Sequence, residues 1–148
     1  MKRFIQILTA AAFLSAGALQ SASAADVFSA ISAPQIERTI KGFREVSDFK
    51  EVSNNTYSFV IDDLKIVIFN KKETMQLYAG FRSSGTSLST INAWNKEHRF
   101  TRAYLDNDND PVLESDIDLT GGVTQENVDE FVRTFFASLV QYKKHIEG

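Results

Sequence analysis

Between residues 128 and 142 the apolar side chains Val128, Phe131, Val132, Phe135, Phe136, Leu139 and Tyr142 recur at helical spacing. One continuous stripe of this kind predicts a long amphipathic C-terminal helix that lids a core. Thr124 stands where an N-cap belongs, with Val123 and Val128 at staple positions, and Gly121-Gly122 breaks whatever precedes. Earlier in the chain the period is two. Thr56–Ile61 alternates Tyr57, Phe59 and Ile61 with Ser58 and Val60, and Thr74–Phe81 sets Met75, Leu77, Ala79 and Phe81 against Gln76 and Tyr78. Both read as strands. Leu64–Phe69 is rich in β-branched and aromatic residues, and a shorter run covers Phe49–Val52. Asn54-Asn55, Asp62-Asp63 and Asn70-Lys71-Lys72 supply turns too short for crossovers, so these four strands form an antiparallel meander.

Two shorter helices complete the pattern. Pro34 suits a first helical turn, Ile36, Ile40 and Phe43 follow, and Gly42 weakens the end near Arg44. The polar loop Ser83–Ser87 offers a cap to a helix carrying Leu88, Ile91 and Trp94 and stopping near His98. Phe100–Leu105 and Val112–Leu119 then make a hairpin. The order α-β-β-β-β-α-β-β-α is an α+β fold, an antiparallel sheet with segregated helices. Residues 25–33 are a lead-in of undetermined order, and 34–148 the domain.

With the hairpin turn centred on Asp108, Arg102 opposes Glu114, Tyr104 opposes Val112, and Phe100 opposes Asp116. One face then carries Thr101, Ala103, Leu105, Leu113, Ser115, Ile117 and Leu119, small and aliphatic enough for a helix to lie close. The other carries Phe100, Arg102, Tyr104, Val112, Glu114, Asp116 and Asp118. Aromatics and an arginine among acids are the mixture enriched at protein interfaces. Phe100, Arg102, Tyr104, Val112 and Glu114 are therefore candidate partner-binding residues. The competing reading is a solvated face with an Arg102–Glu114 pair contributing ~0.2–1 kcal/mol. Trp94, the only tryptophan, is either a further recognition platform or the core end of the Leu88–Ile91 stripe, the second being favoured by its spacing.

Composition adds a destination. Lys2 and Arg3, the apolar run Ile5–Leu19 and the small residues Ala22-Ser23-Ala24 read as a secretory signal peptide cleaved near Ala24. The run is short of the roughly 20 residues a spanning helix needs, and no later segment is long enough either. Removing 24 of 148 residues leaves 124, enough for one domain with its own core. The expected product is periplasmic or secreted. Cysteine is absent, so packing rather than disulfides must stabilise the fold. Without Lys2 and Arg3 the chain has 14 basic against 19 acidic side chains, a net charge of −5 that opposes binding to nucleic acid or anionic lipid.

Chemistry is sparse. Asp106, Asp108 and Asp110 match the first ligands of a calcium loop, but Pro111 holds the place of the required glycine and Ile117 that of the bidentate glutamate. These acids read first as a self-capping turn, with weak calcium binding as the alternative. His98 and His145 lie in no metal spacing, no serine sits in a glycine-flanked elbow, and no phosphate loop or cofactor motif is present.

Three groups of residues resemble one family: Asn92-x-Trp94-Asn95, Arg99-Phe100-x-Arg102-Ala103-Tyr104-Leu105, and Asp110-Pro111-Val112-Leu113-Glu114 running on to Gly121-Gly122. Leu77-Tyr78-Ala79-Gly80-Phe81 adds a thinner likeness upstream. Together they are similar to the YbjN-type family of bacterial sensory transduction regulators. The resemblance implies a fold like that of type III secretion chaperones and a non-enzymatic, chaperone-like or regulatory adaptor, a homodimer that holds an envelope protein or peptide. A calcium-responsive periplasmic sensor and an uncharacterised hydrolase are the rival expectations.

Overall fold

The structure, a computed structural model, describes residues 25–82 and 85–148. The expected signal peptide lies outside the described residues. Eleven elements follow in order: β1 (Val27–Phe28), α1 (Ala33–Phe43), β2 (Ser47–Ser53), β3 (Thr56–Ile61), β4 (Leu64–Asn70), β5 (Thr74–Gly80), α2 (Leu88–Glu97), β6 (Arg102–Leu105), β7 (Pro111–Asp118), β8 (Val123–Thr124) and α3 (Gln125–Glu147). The predicted order holds, with β1 and β8 added as a two-residue antiparallel pair. That pair ties down the lead-in, and the side-chain amide of Asn70 donates to the Ile31 carbonyl at 2.8 Å.

The main sheet has six antiparallel strands in the order β2-β3-β4-β5-β7-β6. The first four are the expected meander. Its β3–β4 turn places both Asp62 and Asp63 at positive φ, 48° and 63°, the geometry whose twist matches a two-residue hairpin. After β5, α2 carries the chain to the far edge, and β7 returns into the gap between β5 and β6.

All three helices cover one face. Ile36 and Ile40 of α1, Ile91 and Trp94 of α2, and the α3 stripe close over Tyr57, Phe59, Ile66, Ile68, Met75, Leu77 and Leu113. Phe59 meets Phe136 edge-on at 6.2 Å between ring centres, and Tyr142 meets Phe81 at 5.3 Å and Trp94 at 5.0 Å. Leu88 departs from its expected inward stripe. It is the first residue of α2, precedes the turn that packs on the sheet, and stands 66% exposed.

Two caps set the helix starts. The Ser87 hydroxyl accepts from the Thr90 N–H at 3.1 Å, and Thr124 and Asn127 form a reciprocal box at the start of α3. The chain enters that box through Gly122 at φ 91°. A Cβ there would stand 2.3 Å from Cγ1 of Val27, so the β1 strand approaches too closely for a side chain.

Candidate protein-binding face of the sheet

Among the described residues no helix packs against the second face of the sheet, and its geometry follows from strand register. Ser58, Val67, Tyr78, Glu114 and Arg102 lie side by side across β3, β4, β5, β7 and β6. Thr56, Phe69, Gln76 and Asp116 form the next row. On the other side Gly80, Val112 and Tyr104 align. The predicted pairings Arg102–Glu114 and Tyr104–Val112 are both present. Phe69 and Tyr78 meet edge-on at 6.2 Å, so the centre of this face is aromatic.

Glu114 is the chemical focus of the face. It is only 3% exposed, and a carboxylate so placed needs donors to offset lost hydration. It has two: Arg102 Nη2 donates to Oε1, and the Tyr104 hydroxyl donates to Oε2 at 3.1 Å. The Arg102 guanidinium also lies 5.8 Å from the centre of the Tyr104 ring, while most of its side chain stays in solvent. Burial chiefly, with added repulsion from Tyr104, Asp106 and Asp110, pushes the Tyr78 phenol above its ordinary range. The result is a partly desolvated polar cluster within an apolar patch.

Two candidates on this face are less accessible than expected. Val112 is completely buried although it is outside the helix-side core. Beside it in the ladder, the Tyr78 ring lies over Gly80, within 3.5 Å of where a Cβ would stand. Glu114 presents itself only through Arg102 and Tyr104.

Phe100 requires correction. It was expected opposite Asp116 on this face. Instead the chain leaves the ladder before β6, Phe100 adopts φ 67°, and the Ser115 hydroxyl donates to its carbonyl at 2.6 Å. Its ring is 77% exposed and borders a hollow shared with Phe131 and Thr134 of α3. Trp94 is likewise not a recognition platform. It is 0% exposed, its indole N–H donates to Thr101 Oγ1 at 3.2 Å, and the His98 ring stacks on it at 3.5 Å.

The histidines lie in no shared motif, yet in the structure they converge. Their rings lie 6.5 Å apart on the flank of Trp94, with His98 Nδ1 3.2 Å from the Trp94 carbonyl and His145 Nε2 2.8 Å from that of Thr90. Among the described residues their partners are an indole face and main-chain carbonyls. The aspartates follow the turn reading. Asp106 Oδ1 accepts from the N–H groups of Asp108 and Asp110, both at 2.9 Å, and Asn109 takes φ 63°. Among the described residues no three acidic, histidine or cysteine side chains gather to hold a metal ion.

Asn95, part of the family likeness, pairs with the backbone of β6. Its side-chain amide donates to the Ala103 carbonyl and its oxygen accepts from the Ala103 N–H, both at 2.9 Å. It thus pairs with the free edge of β6 as a neighbouring strand would, and blocks strand addition there.

Comparison with known proteins agrees with this architecture. No curated protein matches the sequence. A crystal structure of an uncharacterised protein from Methanothermobacter thermautotrophicus superposes with a TM-score of 0.53 at 16% identity, covering 79% of this chain and 97% of the other. At that identity the likeness concerns the fold. The model of a family described as "Putative bacterial sensory transduction regulator" matches residues 64–148, from β4 to the end of α3. The protein belongs to the YbjN family.

Proposed function

We propose that this protein is a non-enzymatic regulatory adaptor of the cell envelope, which holds a protein or peptide partner on the helix-free face of its sheet. One observation carries the reading. A six-stranded sheet packed on one side leaves Val67, Phe69, Tyr78 and Tyr104 on the other, around a buried carboxylate fixed by an exposed arginine. Interfaces of this composition use aromatic and arginine anchors surrounded by polar residues. The family description supports regulation over catalysis. The export signal read from the first 24 residues supports the envelope, and self-association through the same face would give the homodimer.

A photocrosslinking residue at position 104, compared with one at the exposed Lys72 in the β4–β5 turn, tests the proposal in cells. Crosslinks through 104 to a second copy or to one recurrent protein, abolished by Tyr78→Ser, are the expected result. Equal labelling from both positions, or none from 104, refutes it.

A further inference from the structure

At the opposite end of the molecule, the β3–β4 hairpin and the last turns of α3 enclose a groove of about 590 Å³. That volume lies within the range of small-molecule pockets. Ile61, Leu64, Phe81, Phe136 and Leu139 form its floor, and Val140, 41% exposed, lies open on its wall. The α3 contribution is a graded stripe. Phe136, Leu139 and Val140 are apolar, and one turn further on Lys143 and Lys144 are cationic. Arg82 adds a third cation from the segment after β5.

Charge gives the groove its direction. Four cations and three anions line it, in a chain whose net charge is −3. Asp62 is tied to Arg44 at 2.7 Å, whereas Arg82, Lys143 and Lys144 form no ion pair among the described residues. Asp63 and Glu147 are the remaining anions on the rim. A second hollow, sharing Arg44, Phe136 and Val140, continues the apolar surface toward Phe43.

We infer that this groove binds a long-chain fatty acid, its chain along Phe136, Leu139 and Val140 and its carboxylate among Arg82, Lys143 and Lys144. An apolar floor that ends in unpaired cations matches an amphiphile with one anionic end. A neutral chain would leave the cations without a counter-charge, and a small anion would leave the floor wet. This site is separate from the helix-free face, so the two readings stand or fall independently.

Displacement of fluorescent parinaric acid by palmitate, at physiological salt, tests the inference. Saturable binding with a Kd on the order of micromolar is expected. Arg82→Glu with Lys143→Glu should weaken it about tenfold, since two attractive contacts to the carboxylate are replaced by repulsive ones. Val140→Glu should weaken it similarly, while Tyr78→Ser leaves it unchanged. Thermal unfolding establishes that each variant is folded; if Val140→Glu is not, the exposed Arg82/Lys143 pair alone decides. The inference is overturned by absence of saturable binding, by octadecanol displacing the probe as well as palmitate does, or by sensitivity to Tyr78→Ser instead of the groove variants.

Discussion

Replacing Tyr142 with phenylalanine removes a single oxygen from the middle of the core, and its consequence can be worked out in sign and size. Tyr142 is fully buried between Phe81 and Trp94, and its hydroxyl has no hydrogen-bond partner among the described residues. A hydroxyl taken out of water without a partner costs about 1–3 kcal/mol. Removing it leaves the ring contacts in place, so Tyr142→Phe should stabilise the protein at pH 7 by about 1–2 kcal/mol, or about 3–5 °C per kcal/mol in Tm. The same burial sets a pH dependence. It raises the Tyr142 pKa from 10.0 to about 12. The unfolded chain therefore loses this proton first, and stability present below pH 10 is lost as pH rises through 12. By pH 11 the loss is bounded at about 1.4 kcal/mol, and solvent screening reduces it further. Phenylalanine lacks this term, so the advantage of the variant should widen between pH 8 and pH 11. Urea unfolding followed by Trp94 fluorescence is a suitable assay, because the single indole lies 5.0 Å from the ring being changed. A variant less stable than the parent by 1 kcal/mol or more at pH 7 would refute the argument, since it would reveal a partner for the hydroxyl.

Two further substitutions probe how the edges of the fold are held. Gly122→Ala should destabilise by about 1–3 kcal/mol, because φ 91° strains any L side chain and the new Cβ collides with Val27; chemical unfolding within 0.5 kcal/mol of the parent would show that β1 simply moves aside. Asn95→Ala should cost about 1–3 kcal/mol by leaving both main-chain groups of Ala103 unpaired, and should raise the solution mass at high concentration as β6 becomes a free edge; unchanged stability with unchanged sedimentation would remove the edge-cap argument.

The parts of this fold that were legible in the sequence are those encoded by short-range rules. Alternation and two-residue turns determine β3, β4 and β5, and the centring of the hairpin on Asp108 places Arg102 opposite Glu114 because a one-residue slip would turn Leu113 and Ile117 outward. The seven apolar positions of α3 needed no partner to be recognised. Features that escaped depend on segments distant in sequence or on a single dihedral angle. Nothing in Arg99-Phe100-Thr101 announces a positive φ, which aromatic residues rarely adopt, so the strand was begun two residues early. His98 and His145 meet only because α3 packs against Trp94 of α2. Two-residue strands such as β1 and β8 are too short to show any period.

The residues that carry the family likeness divide, in the structure, into those with an architectural task and those without one. Trp94 fills the core, Asn95 seals the edge of β6, Ala103 and Leu113 pack under the helices, and Arg102 and Tyr104 satisfy Glu114. These account for most of the pattern between Asn92 and Gly122 without reference to a partner, which is why recognising the family specifies a fold more firmly than a ligand. Phe100 is different. Holding a bulky residue near the left-handed region costs about 1–2 kcal/mol, and exposing the ring gives none of the burial that would offset it. Ser115 stabilises that backbone through its hydroxyl rather than relieving it. On the proposed adaptor reading, this strained, exposed aromatic at the corner where the sheet face turns toward α3 would add a second anchor, offset from Tyr78 and Tyr104. A partner engaging both would then have to wrap around the β6 end of the sheet instead of lying flat upon it.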